Sequence, residues 1–590
     1  MIPTVVISNN INNVNSNCFK TIFINGITIC YNAQFEKEYY IFENSDYQLF
    51  AHVNIGFKNT LSQFTNDNFS KKDIEELQKK MKWGFIIIIS KNSGSFSIHN
   101  DIYGIYPIYY SNAGKDFIFS NDCDYLIRIQ NSKKIDIRGV YDFILFNYTL
   151  NNRTIFKNIS QLKGGSVINS NPNPSSISIT KINDIAELLN QKERHKLDID
   201  NLNLALISCL TDDIDSKLPI ELTLSGGFDS KVILSLLLNQ KLDFASFTYG
   251  LNGSVDYIAA QSTAKQFSIP HRLVELKSFS LDEMDDQIKS FIKCTPCLPL
   301  LTDLLSYELI KSNIPKSNIL TGFMGGELIN GPVVVSEVML TRSAKTLINA
   351  NDISILKTNL IFDLQSNPFI SSKNYTSNAE YHIEGLGNYL NDSKDSNHKN
   401  LINFLLNETY AKFFGVVFKN LYGNYNMINP FLDINFLSQL LNSEYRFTQF
   451  TSFSKNPLSH FQSRRLYPKM IKRLHEPVIY SPLDRNYVMA DLLYLHRLPI
   501  TLTRYFENHF FNKNKIHPSK ALGSINRLKP LIREKLFNSP ILEFEFIEKE
   551  KVKEVIGKLN SDIPVSDHNL RKLILLLGLH YLYEMYNINY

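Results

Sequence analysis

The run ELTLSGGFDSKVILSLLL, residues 221–238, constrains the fold more than any other stretch of the chain. An apolar, β-branched segment stops at Ser225-Gly226-Gly227. Asp229 follows one residue later, and an apolar run with helical character continues from there. The pattern predicts strand, tight turn and helix, with the helix starting near Asp229. A turn of this kind lies at the carboxyl end of its strand, where open parallel sheets bind ligands. Glycines there can adopt φ > 0 and let the backbone approach a ligand closely. Free N–H groups at the helix start, with the Ser225 and Ser230 hydroxyls, form a nest suited to phosphate oxygens. Asp229 places a negative charge in that nest, and a carboxylate repels phosphate unless a cation lies between them. Mg2+ accepts both kinds of oxygen. The local inference is a Mg2+–polyphosphate site. A plain strand–turn–helix packed on glycines is the simpler reading of a bare Gly-Gly; Ser-Gly-Gly-x-Asp-Ser in this context is far more specific.

The surroundings support a parallel sheet. Strand-like segments at 220–225, 244–250, 271–276 and 318–323 alternate with helical ones at 229–240, 255–267 and 301–312. Short links between them imply right-handed crossovers. Beyond about residue 340 helices dominate, ending in the amphipathic run 569–586. The first third differs. Segments 21–32, 39–44, 47–57, 84–90, 95–101 and 116–122 are rich in Ile, Phe, Tyr and Val and are punctuated by turn residues, which predicts an antiparallel, sheet-rich domain. Residues 135–150 have helical spacing, with Val140, Phe143, Ile144 and Tyr148 on one side. A polar, proline-containing stretch at 169–179 places the boundary near residue 180, giving domains 1–180 and 181–590. The fold class expected is α+β for the first domain and α/β with a helical extension for the second.

Bulk properties exclude several functions. A net charge of +5 on 590 residues, with no basic block, argues against nucleic acid or an anionic membrane as partner. The richest basic cluster, Arg464, Arg465, Lys469, Lys472 and Arg473, reads as a solvated helix face. The longest apolar run, WGFIIIIS, is far short of the ~20 residues of a membrane helix. The N-terminus has no secretory-signal pattern, and the six cysteines are scattered, so a reduced, cytoplasmic protein is expected. Cys294 and Cys297 form a C-x-x-C that lacks a second pair or histidines for zinc; two partly buried thiols are the simpler reading.

SGGFDS resembles the pyrophosphate-binding loop of ATP-pyrophosphatase enzymes, and the rest of the chain resembles the asparagine synthetase family. Residues 84–110, with Asp101, Gly104, Pro107, Tyr109 and Tyr110 in register, are similar to a stretch of that family's amidotransferase domain. Residues 139–167 look like the segment closing it. NILTGFMGGELING is similar to the second nucleotide-site loop, and NPFLDINFL to a helical-region motif around Asp433. The resemblance implies an Ntn-hydrolase-like first domain and an adenine nucleotide α-hydrolase-like second domain. It implies ATP and Mg2+, and a carboxylate activated as acyl-adenylate with pyrophosphate release before attack by an amine or ammonia. By resemblance Ser225, Gly226, Gly227, Phe228, Asp229 and Ser230 form the loop that holds the β,γ-phosphates and Mg2+. Leu224, Thr248, Tyr249, Gly250 and Gly322 would line the adenosine.

Departures from the family pattern bear on activity. A glutamine-dependent member carries Cys directly after the initiator Met, freed as an N-terminal nucleophile. Here the start is Met1-Ile2-Pro3, and the glutamine-pocket motifs are absent, so the first domain is expected to keep the fold without glutaminase activity, as in β-lactam synthetases and lasso-peptide cyclases. Gly326 stands where a second metal-binding Asp is usual, leaving Glu327 as the substitute ligand. The region expected to carry a catalytic Lys, residues 475–487, has Arg485 as its nearest cation, and a guanidinium is not interchangeable with an ammonium. Four readings follow: a glutamine-independent amide-forming ligase with Asp229, Glu327 and Arg485 in its site; a pseudoenzyme that binds ATP without turnover; a glutamine-hydrolysing asparagine synthetase; and a tRNA thiolase, which leaves the first domain unexplained. The sequence favours the first.

Overall fold

The computed structural model describes residues 5–8, 19–24, 27–32, 39–54, 56–58, 61, 71–113, 116–130, 133–170, 177–189, 195–276, 279–295, 301, 310–330, 340–350, 352–371, 383, 386, 400–422, 424–445, 464–484, 487–497, 499–500, 503, 520–561 and 563–589. The sheet-rich third contains β1 (Val5–Ser8), β2 (Phe19–Ile24), β3 (Ile27–Asn32), β4 (Tyr40–Glu43), β5 (Tyr47–Val53), β6 (Gly84–Ser90), β7 (Phe96–Asn100), β8 (Tyr109–Ala113), β9 (Asp116–Ser120), β10 (Ser160–Gln161), β11 (Ser166–Ser170) and β12 (Ile177–Lys181). They form two antiparallel six-stranded sheets, ordered β10-β8-β9-β1-β3-β2 and β12-β11-β7-β6-β5-β4. Alternate residues from both, including Val5, Ile7, Phe85, Ile87, Phe96, Ile98, Phe117 and Phe119, are buried in one core. Ile86 and Ile88 on the other face of β6 pack with Leu49, Ala51, Leu77 and Met81 in a second cluster. That double burial is why β6 reads as an unbroken apolar run rather than an alternating one.

The structure adds to the expectations at two places. The polar stretch at 169–179 flanks a β11–β12 pairing, Ser166 opposite Lys181 and Ser170 opposite Ile177, so the first domain's sheet runs into that stretch and through Lys181. Helix α1 (Ile137–Phe146) buries every residue from Gly139 to Phe146 rather than one side, because it lies between elements of both regions.

The second region opens with α2 (Ile199–Asp213), followed by β13 (Ile220–Thr223), α3 (Phe228–Asn239), β14 (Ala245–Gly250), α4 (Val255–Gln266), β15 (His271–Glu275), β16 (Asn318–Leu320), α5 (Gly325–Asn330) and β17 (Asn426–Ile428). All pairings in this sheet are parallel, in the order β15-β14-β13-β16-β17. The strand order reverses at β13, which has β14 on one side and β16 on the other, with Leu222 opposite Ser246 and Leu320. The SGGFDS turn therefore leaves the central strand at the switch point of an open parallel sheet, where such sheets bind ligands. Farther on, α6 (Leu466–His475) packs along α3, and α7 (Asp567–Tyr586) ends the helical part. No helix among the described residues is long and apolar enough to cross a membrane.

Candidate functional site

Helix α3 begins at Phe228 with Gly227 as its N-cap. Neither glycine of the turn has left-handed backbone, Gly227 lying at φ −81°; Gly226 is required by close approach. A Cβ on Gly226 would lie 2.7 Å from the Asp484 Cβ and 2.8 Å from its backbone nitrogen. The same holds across the site. A Cβ on Gly322 would meet the Asp229 Cβ at 2.7 Å, and one on Gly325 would meet its Oδ1 at 2.6 Å. Two chain segments thus close on Asp229 and on the turn with no room for side chains.

The donors of the turn have internal partners. Gly227 N–H donates to Ser225 Oγ at 3.1 Å, and Ser225 N–H donates to Ser230 Oγ at 3.2 Å. The two serine hydroxyls lie 3.1 Å apart. Gly226 N–H donates to Asp256 Oδ1 at 3.2 Å. A carboxylate, two hydroxyls and backbone N–H groups therefore converge at the turn.

Asp229 is the electrostatic centre. The Tyr467 hydroxyl donates to its Oδ1. Burial pushes its carboxyl up to about 7, against the Tyr467 and Gly326 hydrogen bonds, and the Glu327 carboxylate adds to the rise. Burial also raises Glu327. Two neighbouring, half-buried carboxylates are unfavourable when both ionise, and a divalent cation removes that penalty. Among the described residues no group of three or more His, Cys, Asp or Glu side chains is arranged to hold a metal. Two protein carboxylates nevertheless suit Mg2+, which usually keeps waters and takes substrate phosphates for its other positions.

The structure brings together Ser225, Gly226, Gly227, Phe228, Asp229, Ser230, Gly322 and Glu327. Gly322 packs on Asp229, so it borders the carboxylates. Thr248 Oγ1 donates to Leu224 O at 2.6 Å, which ties the ends of β13 and β14 together. Leu224 is buried, so it can offer a ligand only backbone. Tyr249 is partly buried, and Gly250, at φ +155°, faces open space at the end of β14. Arg485 and Cys297 lie outside the described residues. Cys294 is the last residue of helix Leu281–Cys294.

Four residues at this site carry no motif signal. Tyr467 lies on α6, inside the basic cluster that reads as a solvated face; its ring also packs on Phe228 at 5.2 Å. Lys469 and Lys472 of the same helix reach Tyr445 and Tyr494, so α6 divides a charged face from a buried one. Asp484 N–H donates to Gly226 O at 3.1 Å, so segment 475–487 does reach the loop. Asp256 stands in the first turn of α4. Lys231 is fully buried and donates to Thr263 Oγ1 at 2.9 Å; burial lowers its amine to about 7, opposed by Asp484 and Asp256. A lone lysine inside an apolar helical run was the one available clue.

The structure joins an antiparallel double sheet to an open parallel sheet with this loop at its switch point. Comparison with known proteins agrees. Residues 75–178 match the glutamine amidotransferase domain family and residues 201–296 match asparagine synthase. A similar curated protein is asparagine synthetase [glutamine-hydrolyzing] 1 of Bacillus subtilis (strain 168), 24% identical over 198 residues, which is 33% of this chain and 31% of that protein. The match thus spans about a third of the relative's length. Two solved structures overlap it loosely. One is the allosteric regulatory enzyme of purine biosynthesis, at 8% identity and TM-score 0.20, covering 38% of this chain and 54% of that one. The other is glutamine phosphoribosylpyrophosphate amidotransferase from B. subtilis with ADP and GMP, at 9% identity and TM-score 0.19, covering 54% and 75%. Overlaps this loose carry no structural argument. The two domain matches, in this order, make the chain similar to the asparagine synthetase family.

Proposed function

We propose that this protein is an ATP-dependent carbon–nitrogen ligase that activates a carboxylate as its adenylate and passes the acyl group to an amine or to ammonia, without hydrolysing glutamine. The observation that carries this reading is the half-buried pair Asp229 and Glu327 beside the SGGFDS turn. An acid held at a helix start against a second acid is costly unless a cation uses it. The residues present fit Mg2+ bound with ATP, with Asp229 and Glu327 as the protein ligands; when bound, Mg2+ would offset charge on the β,γ-phosphates. The N–H groups of Gly226 and Gly227 and the Ser225 and Ser230 hydroxyls would hold phosphate oxygens once Asp256 gives up Gly226 N–H and Ser225 Oγ gives up Gly227 N–H. Their fixed dipoles would favour the charge that grows on departing pyrophosphate, which is preorganised electrostatic stabilisation. The acyl donor in this reading is a small-molecule or peptide carboxylate, and the acceptor is the amine or ammonia.

The second reading, a pseudoenzyme that binds ATP without turnover, is favoured by Gly326 and by the Asp256 carboxylate on the loop. ATP–pyrophosphate exchange with Mg2+ and a panel of carboxylic acids and peptides separates the two. Exchange with at least one acid, reduced at least ~100-fold in Glu327→Gln, is the expected result, since loss of a charge-stabilising group in such sites costs about that much. ATP binding without exchange for any acid supports the pseudoenzyme. Glutaminase activity of the full chain would sink the glutamine-independent part of the proposal.

A further inference from the structure

Segment 429–433 is one of several places where the first domain meets the second, and it also touches the Asp229 site. Asn429 Nδ2 donates to Phe323 O at 2.8 Å, in the loop between β16 and α5. The Phe431 ring lies against Gly325, where an added Cβ would be 3.0 Å from Phe431 Cδ2 and 2.6 Å from Asp229 Oδ1. Phe431 is therefore the wall behind Gly325, and Gly325 is the wall behind Asp229. Asp433 Oδ1 accepts from Asn435 N–H at 2.9 Å and Phe436 N–H at 3.1 Å, starting the next helix.

Two side chains of the first domain grip the same turn. Tyr103 Oη donates to Leu432 O. Lys82 Nζ lies 2.7 Å from Asp213 Oδ2, 3.0 Å from Cys209 Sγ and 3.6 Å from Asp433 Oδ2. Asn54 adds a bond from Nδ2 to Asp213 Oδ1 at 2.9 Å. The platform beneath Tyr103 is rigid, because the Asp101 carboxylate accepts from the N–H groups of Tyr103, Ile105 and Tyr106 at 3.0, 2.9 and 3.0 Å. Tyr103, Phe431, Leu432 and Asp433 are all buried, so water does not compete for these bonds.

We propose that Lys82 and Tyr103 are positioning residues for the nucleotide site: the first domain acts as a clamp that holds segment 429–433 against Gly325 and so fixes the distance between Asp229 and Glu327. The clamp gives the first domain a role independent of glutamine chemistry. It rests on the proposed nucleotide site only in so far as that site binds Mg2+ and ATP; it does not require turnover.

The test measures Mg2+-dependent ATP affinity by calorimetry on the full chain, together with the melting temperature, for Lys82→Met, Tyr103→Phe and the double variant. Lys412→Met is the control. Its amine crosses the same domain interface to Thr149 O at 2.7 Å, away from segment 429–433. Each clamp variant should weaken Mg2+·ATP binding about 3- to 10-fold at a temperature where it is fully folded, the scale of one lost buried hydrogen bond. The double variant should lose less than the product of the two, because both act on one turn. Lys412→Met should lower the melting temperature without changing affinity. Clamp variants that melt earlier yet bind ATP like the parent overturn the clamp and leave the ligase reading intact. ATP binding without exchange removes the ligase reading and leaves the clamp measurable. No binding of Mg2+·ATP by the parent chain overturns both.

Discussion

Two aspartates, one in each domain, have opposite surroundings: Asp101 is buried and Asp229 half-buried. Asp101 accepts four backbone N–H groups, from Gly84, Tyr103, Ile105 and Tyr106. Asp229 has the Tyr467 hydroxyl and the Gly326 N–H, and a second carboxylate beside it. Burial pushes both carboxyls up to about 7. The opposing groups differ: at Asp101 the fold supplies donors, and at Asp229 it supplies a like charge. An acid satisfied by its own backbone holds a loop, whereas an acid facing another acid is arranged for a cation that arrives from outside. On this criterion the first domain is built for shape and the second for a ligand.

The strongest way to break that contrast is to remove each carboxylate in turn. Asp101→Ala orphans several buried N–H groups and should destabilise by roughly 3–5 kcal/mol, since each buried orphan costs about 1–3 kcal/mol and some relaxation follows. Asp229→Ala should cost less, roughly 1–2 kcal/mol, because relief of the Glu327 repulsion offsets part of the loss of the Tyr467 and Gly326 hydrogen bonds. It should also abolish Mg2+-dependent ATP binding. Urea unfolding and calorimetry measure the two effects. Equal destabilisation by both variants, with ATP binding retained in Asp229→Ala, would make Asp229 structural.

Gly326 offers a smaller and sharper test. A Cβ there meets nothing nearer than Asp229 Oδ2 at 3.4 Å, so the site admits a side chain. Gly326→Asp adds a carboxylate to the pair. It should raise Mg2+ affinity in the presence of ATP by about tenfold, the scale of one added charge near a partly exposed cation. It should also destabilise the metal-free protein. A fall in Mg2+ affinity would mean that Glu327 already fills the position the new acid would take.

The alternation of strand and helix made the parallel sheet legible, because short links leave few topologies. The loop residues 225–230 were equally legible, since strand, glycines, acid and helix fall within one short window. The partners of Asp229 were not. Tyr467 is 238 residues away in sequence and sits on a helix whose composition advertises charge. Asp256 and Asp484 look like ordinary acids in a helix start and a loop, and only the chain's return to Gly226 gives them a place. The first domain's sheets were visible from β-branched and aromatic content. Its edge at β12 was hidden, because Ile177–Lys181 is mostly exposed and reads as polar connection.

His52 tests the first-domain half of the contrast with the smallest expected effect. Its ring is buried among Tyr39, Trp83, Phe85 and Tyr106 at centroid distances of 5.5, 5.3, 6.1 and 5.1 Å. Burial lowers its pKa to about 3, and Lys58 adds to the fall. The folded state therefore holds it neutral, while the unfolded chain takes up a proton below about pH 6.5. Its contribution to stability is fully present above pH 6.5 and is lost as the pH falls toward 3. Between pH 7.5 and pH 5 that loss amounts to about 2 kcal/mol. His52→Phe keeps an aromatic ring and removes the titration, and any strain from the larger ring is the same at both pH values. The parent should therefore lose about 2 kcal/mol more than His52→Phe on acidification, read by urea unfolding at both pH values. Equal losses would show that the imidazole is protonated within the fold. The aromatic interior of the first domain would then hold a charge, and the separation between a domain built for shape and a domain built for a ligand would fail at that residue.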